Sequence, residues 1–175
     1  VRGGSRVFAN QAACPFRAFA AHRLAAEPLE RPRAGLDAMR RGTLMHRLLA
    51  RVWEELETQE RLLALDETAL RALLRTHIDA LLEDGRRRSP ATFSARFRAV
   101  EAQRLEDRAL AWLALERERS PFRVVAREQN VAFEAGGVAV QLYLDRVDEL
   151  PDGSRMVLDY KTGKVSPAAW FGERP

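Results

Sequence analysis

The period of the apolar residues changes once along this chain, and that change bounds the fold more tightly than any other feature. Up to about residue 118 apolar positions recur at three- and four-residue intervals, as one helix face requires; beyond Pro121 they alternate, as a half-buried strand requires. Helices first and strands second predict a mixed α+β or α/β fold rather than a bundle or a sandwich. At 175 residues, 46% of them hydrophobic and 31% charged, the chain has the length and balance of one globular domain with a real core. No apolar run approaches the roughly 20 residues that a membrane span needs, and no signal peptide opens the chain.

Punctuation divides the helical half. Residues Ser5–Leu24 read as helix restarted at Pro15, with Phe16, Phe19 and Ala20 on one face. Residues Ala25–Gly35, with two prolines, read as a loop. A helix is predicted from an N-cap at Asp37 to Gln59, its stripe formed by Leu44, Leu48, Leu49, Val52, Trp53 and Leu56. The next runs from Asp66 to Glu83 on Leu70, Leu73, Leu74, Ile78, Leu81 and Leu82; Gly85 is expected to end it, leaving Arg86–Pro90 as a basic, solvated loop. The last, Ser94–Glu118, carries Phe97, Val100, Leu105, Ala109, Trp112 and Leu113. In the extended half, 122–133 and 138–150 read as strands joined at Gly136-Gly137. Met156–Tyr160 reads as a third strand, after a turn at Asp152-Gly153.

Lys plus Arg exceed Asp plus Glu by 29 to 25, a surplus that permits a polyanionic partner without demanding one. Only two of the 29 basic residues are lysine, Lys161 and Lys164. Ammonium and guanidinium are not interchangeable, so a lysine in such an arginine-rich chain marks a slot with its own chemistry. Cys14 is the sole cysteine, which excludes an internal disulfide and fits a reducing compartment. It also excludes a zinc or iron–sulfur site built from this chain alone, since such sites need about four ligands. Val1 is not Met, and the chain stops at Phe171–Pro175 without a helix cap, so a longer parent polypeptide is expected.

The chemistry concentrates between Leu142 and Gly163. Asp145 falls on the second strand and Asp159 at the end of the third; a hairpin at Asp152-Gly153 places both near one end of the sheet. Lys161, two residues after Asp159, shares its face. Two carboxylates about 4 Å apart repel by about 4 kcal/mol at an effective dielectric of about 20. A folded site tolerates this by protonating one acid or by binding a cation. With an ammonium alongside, a hard divalent ion fits, keeping waters and phosphate oxygens in its remaining positions. Such an ion activates water and stabilises charge on a phosphodiester, and Lys161 is placed to orient or deprotonate the water or to neutralise the transition state. Asp148, three residues from Asp145, faces the other way and reads as solvent-facing or Arg-paired. His22 and His77 read as structural, and Trp53 and Trp112 as packing residues.

Together with Asp145, the run VLDYKTG over Val157–Gly163 resembles the active-site strand of RecB-type PD-(D/E)xK nucleases, the helicase-nuclease and AddB-type repair enzymes. CPFRAF over Cys14–Phe19 resembles the C-P-F-x-x-F segment that opens these domains, and GTLMH over Gly42–His46 their G-x-x-x-H helix. Glu128 matches the acidic position of the first strand. D-x-K alone is a weak signal; four motifs in this order, across nearly the whole chain, are a strong one. The resemblance implies His46, Asp145 and Asp159 as metal ligands, the Tyr160 carbonyl as a further ligand, Lys161 as base or charge stabiliser, and Glu128 in support. Leu142 stands where the family usually has a glycine three residues before the first catalytic Asp. The family continues with a helix carrying a Gln and a Tyr, expected beyond Pro175. Some relatives hold an iron–sulfur cluster between an early cysteine and three late ones; Cys14 has the early place, and this chain has no later cysteine.

The implied fold is one restriction-endonuclease-like domain, helical over about 1–120, with a small mixed sheet over about 121–175, truncated at its C-terminus. The implied activity is a Mg²⁺- or Mn²⁺-dependent deoxyribonuclease, an exonuclease of DNA repair and recombination in the bacterial cytoplasm. Its partners would be a helicase domain or subunit and single-stranded or unwound DNA ends, with no membrane role. The rival is a catalytically inactive nuclease-like module that binds nucleic acid or scaffolds a repair complex; such modules typically lose an acid or the lysine, and here all are kept. Without the completing helix, the chain is expected to be a poor nuclease and to associate through an unpaired sheet edge.

Overall fold

The computed structural model describes residue 4 and residues 6–26 and 35–163. Val1, most of the loop expected over 25–35, Lys164 and the end at Phe171–Pro175 lie outside the described residues. Among the described residues six helices precede three strands: α1 (Arg6–Ala13), α2 (Pro15–His22), α3 (Ala38–Leu56), α4 (Gln59–Ala64), α5 (Glu67–Arg88), α6 (Ala95–Glu118), β1 (Arg123–Ala135), β2 (Val138–Glu149) and β3 (Arg155–Leu158). The strands form one antiparallel sheet in the order β1-β2-β3, so the expected α+β fold is observed. Gly136 and Gly137 at the first hairpin both have positive φ, +56° and +74°, the requirement of a tight two-residue turn matched to strand twist. Gly153, at φ +80°, does the same for the second.

Helices begin where the chain supplies capping side chains. Asp37, Thr58, Asp66 and Ser94 accept the backbone N–H of Arg40, Arg61, Ala69 and Phe97 respectively, each cap contributing about 1 kcal/mol. The third strand, expected over Met156–Tyr160, spans Arg155–Leu158, and two helix ends also differ from expectation. α3 stops at Leu56 rather than Gln59: Glu57 turns the chain at φ +59°, and Thr58 caps the short α4. Gln59 is then free to turn inward, where its Nε2 donates to the carbonyls of Glu116 (3.0 Å) and Arg119 (2.5 Å) at the end of α6, groups that lack intrahelical partners. α5 runs through Gly85 to Arg88, so the expected basic loop is helical. Gly85 serves close packing, because a Cβ there would lie 2.5 Å from the Phe93 ring. Arg86 and Arg88 pair with Glu83 (2.6 Å) and Asp84 (2.8 Å) one turn back, and their charge suits a helix C-terminus.

The described chain gathers into two compact units. The larger spans Arg33–Arg127 and Asp145–Gly163; the smaller holds α1, α2 and the part of the β1–β2 hairpin within Glu128–Leu144. In the smaller unit, Asn10 Nδ2 donates to His22 Nε2 at 2.9 Å. Phe16 and Phe19, expected on one face, are exposed there, and Ala18 is the buried residue of α2.

In the larger unit, α5 packs against both α3 and α6, burying Leu48, Val52, Trp53, Leu74, Leu105 and Leu113. Val100 is exposed instead of joining the α6 stripe, whose buried positions include Glu101, Glu106 and Glu116. Glu116 meets Arg146 of β2, which is 1% exposed. The Arg146 guanidinium forks onto Asp148 (2.6 Å from both Nε and Nη2) and onto Glu116 (3.0 and 2.9 Å) and lies 4.4 Å over the Trp53 ring. Arg119 closes the cluster on Glu116 (2.6 Å) and Asp148 (2.9 Å). Asp148 is therefore Arg-paired and wholly buried, in a cluster where two guanidinium charges meet two carboxylates.

Candidate metal centre

Gly42 and His46 lie one turn apart on α3, and Gly42 is buried. A Cβ at Gly42 would stand 3.0 Å from Thr162 Oγ1, so glycine leaves room beside α3 for the Thr162 side chain. Asp145 comes from β2. The β2–β3 register pairs Arg146 with Leu158 and Glu149 with Arg155, so Asp145 and Asp159 are the residues next to the last pair, where β3 leaves the ladder.

Three groups converge there. His46 Nδ1 stands 3.3 Å from Asp145 Oδ1, and His46 Nε2 stands 2.8 Å from the Tyr160 carbonyl oxygen. The Tyr160 N–H donates to Asp145 Oδ2 at 2.6 Å. Asp145 is only 6% exposed. Burial raises its pKa, but the hydrogen bonds from His46 and Tyr160 N–H and the charges of His46 and Lys161 outweigh this and hold it below the ordinary carboxylate value. It is thus a carboxylate kept ionised in a largely dry place.

The arrangement fits a cation. Neutral imidazole has one N–H, so with both ring nitrogens against oxygens, one lone pair faces another unless the ring is protonated or a cation lies between. An imidazole nitrogen, a carboxylate and a carbonyl oxygen form a donor set suited to Mg²⁺ or Mn²⁺. Glu128, in the smaller unit, adopts φ +46°, which is unusual for a residue with a Cβ. Its Oε2 accepts from the Tyr143 hydroxyl, while its Oε1 is buried without a hydrogen-bond partner.

Asp159 and Lys161 are placed differently. Both are about half exposed, and they pair with each other, Nζ to Oδ2, at 2.6 Å. The structure thus groups His46, Asp145 and the Tyr160 backbone, and sets Asp159 on the ammonium beside them. His77 bonds Glu55 at 3.1 Å. Cys14 is exposed and precedes α2 without a side-chain capping bond. Sequence reasoning missed the Arg146 cluster. The available signal was Glu101 and Glu116 on the same helical stripe as Leu105, Ala109 and Leu113, since charges on an apolar stripe need buried partners.

The family model of the PD-(D/E)XK nuclease superfamily matches residues 8–170 of the chain. No curated protein matches the chain.

Proposed function

We propose, from the premise that this chain belongs to the PD-(D/E)XK nuclease superfamily, that it is the RecB-like nuclease domain of a repair and recombination enzyme. It hydrolyses DNA phosphodiesters with Mg²⁺ or Mn²⁺, as an exonuclease on single-stranded or unwound ends supplied by a helicase partner in the bacterial cytoplasm. The observation that carries this reading is the convergence of His46, Asp145 and the Tyr160 carbonyl beside Lys161. Among the described residues no helix is long and apolar enough to cross a membrane.

His46, Asp145, Asp159 and the Tyr160 carbonyl would hold the ion, with Glu128 in support. When bound, the ion supplies an activated water and neutralises charge building on the phosphodiester. Asp145 contributes a carboxylate that stays ionised; the Tyr160 N–H fixes one of its oxygens and leaves the other toward His46. Lys161 stabilises the transition state or takes the water's proton. Lys161 is paired with Asp159, so Asp159 turning to hold an ion would free the ammonium to face a phosphate.

The test is cleavage of labelled single-stranded DNA by the purified chain with Mn²⁺, alongside Asp145→Asn. Cleavage that Asp145→Asn abolishes supports the reading, and a closed circular strand that resists cutting supports an exonuclease. DNA binding without any Mn²⁺-dependent cleavage would leave the inactive-module reading.

A further inference from the structure

β3 ends at Leu158, so no sheet ladder holds residue 160, yet both its backbone polar groups face the candidate metal centre. Tyr160 N–H bonds Asp145, and Tyr160 C=O lies against His46. A carbonyl that serves as a ligand must hold its direction, and something other than strand pairing does this here. The Tyr160 side chain is buried, with its ring edge-on to Trp112 at 5.3 Å and to His46 at 5.7 Å. Its hydroxyl accepts from Arg146 Nη1 at 3.0 Å.

Arg146 is itself rigidly held. Its five N–H donors are all used: Nε and one Nη2 hydrogen on Asp148, the other Nη2 hydrogen and one Nη1 hydrogen on Glu116, and the last on Tyr160 Oη. Its guanidinium carbon lies 4.4 Å from the Trp53 ring centroid and 4.9 Å from that of Phe122, against the edge where those two rings meet. Strand alternation sends Asp145 to one face of β2 and Arg146 to the other. The two neighbours therefore grip one residue at opposite ends, Asp145 at the Tyr160 backbone and Arg146 at its hydroxyl.

We infer that Arg146 is a positioning residue for the metal centre: through Tyr160 it sets the direction of the carbonyl and amide that frame the ion. This rests on the metal-dependent reading above. The Arg146, Glu116 and Asp148 cluster is then more than a structural ion network, because it orients ligands as outer partners do in metal sites, where their loss costs about 10–100-fold in affinity.

The test compares Tyr160→Phe, which removes only the hydroxyl, with Glu106→Gln. Glu106 is equally buried and also bonds arginine, Arg71 at 2.8 Å, but it takes no part in the Tyr160 contacts. Two quantities are measured on the whole chain: hydrogen exchange of the residue-160 amide without metal, and Mn²⁺ affinity by paramagnetic resonance. Beyond any global loss of stability, Tyr160→Phe should speed exchange at residue 160 about fivefold and weaken Mn²⁺ binding about tenfold. Glu106→Gln should do neither. Arg146→Lys, keeping the charge but not the fork, should follow Tyr160→Phe. Equal exchange at residue 160 in Tyr160→Phe and Glu106→Gln overturns the clamp, as does faster exchange with unchanged Mn²⁺ affinity. If the parent chain binds no Mn²⁺, the nuclease reading fails instead, and the exchange comparison still decides whether Arg146 fixes Tyr160.

Discussion

Replacing Glu116 by Gln should unbalance the buried charge cluster while leaving its shape intact. Glu116 is 1% exposed, and its oxygens accept from Arg146 Nη1 (3.0 Å), Arg146 Nη2 (2.9 Å) and Arg119 Nη1 (2.6 Å). The amide turns one acceptor into a donor facing guanidinium hydrogens and leaves two arginines sharing only Asp148. Removing one member of a buried ion pair costs about 3–5 kcal/mol. Arg119 keeps 23% of its side chain exposed and can lean toward water, so the lower end, about 3 kcal/mol, is expected. Against a domain stability of about 5–15 kcal/mol that is a large fraction, and it lowers the urea midpoint by about 1–3 M at the usual slopes. Adding Arg119→Met restores neutrality around Arg146 and Asp148, so the double variant should recover about 1–3 kcal/mol relative to additivity. Urea unfolding of the parent, both single variants and the double closes the cycle. A Glu116→Gln loss below about 1 kcal/mol, no more than one ordinary hydrogen bond, or strict additivity would refute the charge-balance reasoning.

Gly85→Ala should destabilise: the helix gains about 1 kcal/mol, but a Cβ 2.5 Å from a buried Phe93 ring, itself edge-on to Phe97 at 5.4 Å, costs about 1–3 kcal/mol. A raised melting temperature would show that the ring moves aside freely. Glu83, hydrogen-bonded to Arg86 and near Arg87 and Arg98, has its pKa lowered from 4.5 to about 2. Its stabilising contribution is therefore complete above about pH 4.5 and lost as pH falls toward 2. Glu83→Gln should flatten the acid loss of stability within that window, and an unchanged slope by acid-titrated unfolding would count against the pairing. Lys161→Arg keeps the charge but not the compact, titratable ammonium, so DNA affinity at fixed salt should hold while turnover of single-stranded DNA falls about a hundredfold. Turnover within a few-fold of the parent would reduce Lys161 to generic charge.

Much of the fold was legible because its causes are local. Asp37, Asp66 and Ser94 announce helix starts, since a cap bonds a backbone N–H only three residues away. Gly136-Gly137 announces a hairpin, since only that local backbone geometry needs two positive φ angles. Gly85 misled for the converse reason. It reads as a helix end, but its cause is the Phe93 ring, brought alongside by the following turn. The paired Glu83, Asp84, Arg86 and Arg88 then carry the helix past it.

For the candidate site, the sequence by itself determined which residue types are present, their order, and the strand alternation that parts Asp145 from Arg146. Only tertiary structure decided which of them meet. It set both nitrogens of His46, from α3, against oxygens of Asp145 and Tyr160, paired Asp159 with Lys161, and placed Glu116 of α6 on the guanidinium behind Tyr160. A charged side chain carries no local mark of its partner. Electrostatic attraction and desolvation act through space, so the choice between a solvated Asp148 and a buried, Arg-paired one is made only when α6 and β2 pack together.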